Sequence, residues 1–341
     1  MKLPSSDSTL DRFDAESAAT RGNDDQATRL RALIASVEKN APTEAPSDDP
    51  LAATSQRPLP PMIAFASGKG GVGKTNICLS VATILAERGI RVTVVDGDLG
   101  MANADVLCGV RPRGHLGHVI AGVKSLDDIT LRTSGGFDLV PGGSGIARLA
   151  DLTAHERAIL FRSLNRMQSN SELLLVDCGA GIGPKVQMFI DAADLTLVVT
   201  TPEPTSITDA YSLIKCVVAR RDRAAAECAE PVSGDLAVLV NMAYDEREAI
   251  AIQARIASVA RKFLATDLAS AGFVRRDRAV FNAVRARKPY AVLDPKALAT
   301  RDTQAVGEFI AKLTLSPQRS SAVAGGCAAC SDGTEGFLFW A

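Results

Sequence analysis

The chain has 341 residues, 46 % of them hydrophobic and 23 % charged, with a formal net charge of −1. That length can bury one substantial core with appendages, and the charge balance argues against a global basic field for nucleic acid. Residues 1–25 are polar without an apolar segment, and no apolar run approaches the ~20 residues that span a bilayer. The expectation is a cytoplasmic protein whose contact with a membrane is at most peripheral.

Residues 1–23 read as a disordered N-terminus. Residues 24–40 differ: Ala27, Leu30, Leu33, Ile34 and Val37 form one apolar stripe, with Arg29, Arg31, Glu38 and Lys39 largely away from it. This is the pattern of an amphipathic helix. Residues 41–60 are rich in Pro, Ala, Ser, Thr and Asp and read as a flexible linker. A helix on such a tether either packs back on its own domain or is recognised by another protein, and the residues alone leave both open.

From 61 to 315 short apolar runs alternate with helical patterns. The predicted strands are Met62–Ala66, Val92–Val95, Phe137–Val140, Leu173–Val176, Thr196–Val199 and Leu236–Val240. Helices are predicted at Thr75–Arg88, Ala154–Gln168, Lys185–Ala192, Ser206–Arg220, Glu246–Leu264 and Lys296–Leu313. Gly89 stands where a helix is expected to end. Apolar strands without polar alternation are buried on both faces, so the expected fold is α/β, a mostly parallel sheet with helices on both faces. A ligand then sits at the carboxyl ends of the strands.

Residues 316–341 lose the pattern and read as an irregular tail ending Phe337-Leu338-Phe339-Trp340-Ala341. Its aromatic end predicts weak membrane affinity at most. Of the seven cysteines, most lie in apolar runs and suit reduced, buried thiols. Cys327 and Cys330 have C-x-x-C spacing, which is half a zinc site and reads as incidental.

The chemistry concentrates at three strand ends. Ser67-Gly68-Lys69-Gly70-Gly71-Val72-Gly73-Lys74-Thr75 follows the first strand and opens the first helix, with the G-x-x-x-x-G-K-[ST] spacing of a phosphate-binding loop. Glycines let backbone N–H groups of Gly70, Gly71, Val72 and Gly73 turn toward a phosphate, and the helix N-terminus adds partial positive charge. Lys74 is expected on the β- and γ-phosphates and the Thr75 hydroxyl on Mg²⁺. The second strand runs into Asp96-Gly97-Asp98. One of these carboxylates suits the magnesium shell, the other an attacking water. The strand 173–176 ends in Asp177, expected to bind Mg²⁺ through water, followed by the flexible Cys178-Gly179-Ala180-Gly181. Asn241 ends a further strand, and its amide offers the donor and acceptor that an adenine edge requires.

The loop Lys69-Gly-Gly-Val-Gly-Lys74-Thr75 resembles the deviant Walker A of the MinD/ParA class of P-loop ATPases. Asp96-Gly-Asp98-Leu-Gly-Met-Ala-Asn103-Ala-Asp105, Asp177-Cys-Gly-Ala-Gly181-Ile and Thr200-Thr-Pro-Glu203-Pro-Thr-Ser-Ile-Thr-Asp209-Ala-Tyr211 narrow the resemblance to flagellar-number regulators of the FlhG (FleN, YlxH) type. Asp25-Gln26-Ala27-Thr28-Arg29-Leu30-Arg31 is similar to their N-terminal DQAxxLR motif. The resemblance implies a slow ATPase that uses ATP and Mg²⁺ and forms a homodimer when ATP-bound. Lys69 would cross the dimer interface to the partner's nucleotide, Asp98 would position the hydrolytic water, Asp96 and Asp177 would support the magnesium shell, and Asn241 would contact adenine. It also implies that Asp25, Gln26, Ala27, Leu30 and Arg31 engage and stimulate an FlhF-type GTPase. Flagellar switch components or a transcription activator are further candidate partners. FlhG relatives commonly carry a C-terminal membrane-targeting helix. Here the stripe Val306, Phe309, Ile310 and Leu313 fits either that or the domain's last packing helix.

Two other functions compete. A MinD-like division-site or ParA-like partition ATPase shares the fold, but Arg220-Arg221-Asp222-Arg223 and Arg275-Arg276 are too few for a DNA surface, so no nucleic acid is expected. An iron–sulfur reductase would need paired cysteines at the dimer face, and Cys108 and Cys178 are not at the required offsets.

Overall fold

The computed structural model of the chain describes residues 60–143, 152–167, 171–226 and 234–314. The predicted segments 1–23 and 24–40, nearly all of 41–60, and 316–341 lie outside the described residues. So do the motif residues Asp25, Gln26, Ala27, Leu30 and Arg31, the pair Cys327/Cys330 and the aromatic end.

Strand β1 (Met62–Ser67) leads into helix α1 (Lys74–Glu87), then β2 (Val92–Gly97) and three short helices, α2 (Ala104–Cys108), α3 (Leu116–Ile120) and α4 (Leu126–Ile129). After β3 (Leu131–Arg132) and β4 (Asp138–Val140) come α5 (Ala154–Arg166), β5 (Leu173–Ala180), α6 (Pro184–Ala192) and β6 (Leu195–Thr200). The chain continues through α7 (Pro204–Ala226), β7 (Asp235–Ala243), α8 (Glu246–Leu264) and β8 (Ala269–Arg275). It closes with α9 (Arg278–Ala286), α10 (Tyr290–Leu293) and α11 (Leu298–Thr314).

The strands form one eight-stranded sheet in the order β3-β4-β2-β5-β1-β6-β7-β8. Every pair is parallel except β3 with β4. Residues of β1 are buried along its whole length, and alternate side chains enter separate apolar layers. Ala64 and Ala66 join Val176, Leu213 and Ile256 on one side, while Ile63 and Phe65 join Ile77, Leu175 and Ile310 on the other. This is the doubly covered sheet that unbroken apolar strands require, each fully buried large side chain contributing roughly 1.5–3 kcal/mol.

Helix α1 ends as expected: Gly89 has φ +85°, and Ile90 N–H donates to Leu85 O at 3.2 Å. Strand β8 escapes the sequence pattern because Ala-Ser-Ala-Gly-Phe-Val-Arg contains no continuous apolar run and edges the sheet, where one side needs no partner strand. Helix α11 is a packing helix, with Val306 and Ile310 fully buried against the layer that holds α1.

Candidate nucleotide and metal site

The site lies at the carboxyl ends of β1, β2 and β5, which are adjacent in the sheet because the chain crosses over between them. Ser67 ends β1, buried, and its Oγ donates to Lys69 O at 2.7 Å, folding the loop over. Gly71 and Gly73 have φ +80° and +87°, left-handed values that a side chain would strain. Gly73 is the N-cap of α1 and no side chain caps that helix, so its first N–H groups are left for an anion.

The two lysines of the loop have opposite surroundings. Lys74 is 8 % exposed and its charge acts on Asp177. Lys69 stands at the rim with its side chain 39 % exposed, and its Nζ donates to Glu203 Oε2 at 2.7 Å and to Thr205 Oγ1 at 3.1 Å. That ion pair holds Glu203 below the usual carboxylate range.

Asp96 and Asp177 are neighbours in register on β2 and β5, both almost fully buried. Burial first, and then the charge of Asp177, pushes the Asp96 carboxyl well up; burial also raises Asp177, opposed by Lys74 and by a hydrogen bond with Thr75. Asp96 Oδ2 accepts from Asn103 N–H and Ala104 N–H at 3.0 Å each, and Oδ1 from Asp98 N–H at 3.2 Å. It therefore caps α2 and shapes the Asp98 loop. Asp177 Oδ1 is buried with no hydrogen-bond partner among the described residues. An orphaned carboxylate oxygen beside the Thr75 hydroxyl is a donor set that suits a hard divalent cation. The Asp98 carboxylate borders Gly179, where a Cβ would stand 3.0 Å from Asp98 Oδ1, a tight approach that would press on that carboxylate.

Asn241, at the end of β7, reaches the same loop. Its Nδ2 donates to Val72 O at 2.7 Å, so one of the two amide N–H groups braces the loop. All the expected residues from 69 to 75, with Asp96, Asp98 and Asp177, thus gather around one loop. Glu203 and Thr205 were carried in the sequence only as part of a motif, without a role. Their signal is the sequence Pro-Glu-Pro-Thr at a strand exit, which says nothing of the lysine they hold.

Cys78, Cys108 and Cys178 are buried free thiols, each with its pKa raised mainly by burial. Of the arginines considered for DNA, Arg220 pairs with Asp191 and Arg275 with Asp302. No helix among the described residues is long and apolar enough to cross a membrane.

Residues 63–290 match the model of the CobQ/CobB/MinD/ParA nucleotide binding domain. The chain is 37 % identical to the antiactivator FleN of Pseudomonas aeruginosa over 249 residues, 73 % of this chain and 85 % of that protein. It is 34 % identical to the flagellum site-determining protein YlxH of Helicobacter pylori over 253 residues, 74 % and 82 % of the two chains. Among solved structures it is similar to the cell division ATPase MinD of Pyrococcus furiosus, with a TM-score of 0.61 at 23 % identity, covering 75 % of this chain and all of that one. A second MinD, from Pyrococcus horikoshii and complexed with Mg-ADP, gives a TM-score of 0.60 at 20 % identity over 75 % of this chain and 97 % of that one.

Proposed function

The chain belongs to the CobQ/CobB/MinD/ParA nucleotide-binding family, in its FlhG (FleN/YlxH) branch, and on that premise we propose that it is an ATP-driven dimerising switch controlling flagellar number and placement. It is an ATPase, producing ADP and phosphate. The observation that carries the switch is the division of labour between the two lysines. Lys74 is buried with Asp177 in its own site, whereas Lys69 sits at the exposed rim on Glu203 and Thr205. An exposed ion pair exchanges readily for another anion, so a partner subunit's nucleotide can take Lys69 from Glu203.

Within the site, backbone N–H groups of residues 70–73 and the uncapped start of α1 bind the phosphates. Lys74 neutralises them, and Asn241 braces the loop and contacts adenine through its amide. Asp98 orients the attacking water. Thr75 would hold Mg²⁺ directly, with Asp177 and Asp96 sharing through water; the ion would supply charge neutralisation between the phosphates. Segment 61–315 is the ATPase domain in this scheme, 24–40 a recognition helix on the linker 41–60, and 1–23 and 316–341 appendages. The protein would act in the cytoplasm, with at most weak peripheral contact at the membrane's inner face.

Sedimentation with a non-hydrolysable ATP analogue tests the switch. Lys69→Ala is expected to bind the analogue as a monomer and fail to dimerise, and a normal analogue-bound dimer would overturn it. The partner assignment has its own test. The full chain should accelerate GTP hydrolysis by an FlhF-type GTPase without needing ATP, and Gln26→Ala should remove most of that acceleration. An unaltered GTPase rate with the parental chain would return residues 24–40 to packing on their own domain.

A further inference from the structure

Asp98 can orient a water only if its carboxylate is held, and it lies on a loop outside the sheet. Two anchors come from its own end of the chain. Asp96 accepts its N–H, and Met101 N–H donates to Asp98 O at 3.0 Å. The next residue, Leu99, is buried, and its carbonyl accepts a hydrogen bond from Lys185 Nζ at 3.1 Å, across 86 residues of sequence. Lys185 is half-buried near the start of α6. The segment Gly179–Gly183 that delivers α6 from β5 contains Gly179, Gly181 with φ +96°, and the exposed Ile182. Gly181 N–H also donates to Ser67 O at 2.8 Å, which ties that segment to the phosphate loop.

The stretch from Gly179 to Lys185 therefore bonds to the end of β1 through Gly181, passes beside the Asp98 carboxylate at Gly179, and holds the carbonyl of Leu99, the residue after Asp98, through Lys185. Of these, only the bond from Lys185 is made by a side chain. We propose that Lys185 is a positioning residue for hydrolysis: its ammonium, fixed on rigid α6, holds the Leu99 carbonyl so that the Asp98 carboxylate follows the segment after Asp177. Any shift of that segment on arrival of a γ-phosphate is then carried to the water-orienting group. This rests on the reading of Asp98 given above.

The test is steady-state ATP hydrolysis by the full chain, with ATP affinity measured separately by calorimetry. Lys185→Met keeps the length and removes the donor. It is expected to lower kcat about tenfold while the ATP dissociation constant stays within about twofold, because a misplaced catalytic group costs rate rather than binding. Lys185→Arg, which restores a donor, should recover most of the rate. In an Asp98→Asn background Lys185→Met should add nothing, since the two act as one unit. A normal kcat in Lys185→Met, or an equal fall in both backgrounds, would overturn the proposal while leaving Asp98 in place. A parental rate in Asp98→Asn alone would overturn the Asp98 reading and this proposal with it.

Discussion

Helix α5 and helix α1 start in opposite ways. At α5, Thr153 Oγ1 accepts from Glu156 N–H at 3.2 Å, and the Glu156 carboxylate accepts from Thr153 N–H at 2.8 Å. Helix α4 repeats this with Ser125 and Asp128, and α8 and α9 are capped by Asp245 and Asp277. Helices α1 and α6, which border the site, begin instead on Gly73 and Gly183 with no side-chain cap. A reciprocal cap satisfies orphan N–H groups within the chain and contributes about 1 kcal/mol to folding. The glycine starts forgo that contribution, and at α1 the donors are kept for a ligand. The start of α1 thus serves binding where those of α4, α5, α8 and α9 serve stability.

That separation can be broken from either side. The largest effect belongs to Asp98→Ala, expected to slow single-turnover ATP hydrolysis roughly 10²–10⁴-fold with binding spared, because the phosphate loop and Thr75 are untouched. An unaltered rate would remove Asp98 from the chemistry. Next is Lys74→Ala, expected to weaken ATP binding on the order of 100-fold in titration calorimetry, since it deletes a buried cation that no other group replaces. Unchanged affinity would overturn the phosphate-loop assignment.

On the capped side, Thr153→Ala should lower stability by about 1 kcal/mol in urea unfolding and leave ATP affinity as it was. A loss of affinity there would show that the two kinds of helix start are not independent. The smallest effect is a pH dependence at α3. His115 Nδ1 accepts from Gly117 N–H at 3.1 Å, and His118 Nδ1 accepts from His115 N–H at 3.3 Å. Burial first, then His118 and Lys124, hold the His115 imidazole below its ordinary value. The unfolded chain therefore binds the proton first, so this contribution is present above roughly pH 6.5 and is lost as pH falls from there through the lowered value. His115→Asn, a cap that does not titrate, should lose less stability than the parent between pH 7.5 and 5.5. Parallel losses in both proteins would discount the imidazole cap.

Much of the fold was legible because its signals are local. Unbroken apolar runs such as Leu173–Val176 imply a strand covered on both faces, and the phosphate loop is defined by spacing within one turn. The aspartates at 96, 98 and 177 were readable because each sits at or just beyond the end of such a run. Strand β8 was not, because an edge strand with a glycine carries little periodicity. Helix α11 could be read as a stripe but not assigned a partner.

What the sequence alone determined is the local hardware: apolar strands, a glycine-rich turn before a helix, and carboxylates at strand ends. Each follows from backbone sterics and burial over a few residues. Tertiary structure decided which groups meet. Only the sheet order sets Asp96 beside Asp177, and only the folded chain brings Lys69 to Glu203 across 134 residues, Asn241 to Val72 across 169 and Lys185 to Leu99. The physical reason is that periodicity reports which face of an element is apolar, whereas a hydrogen bond between distant segments depends on crossovers and loop geometry that no local pattern encodes.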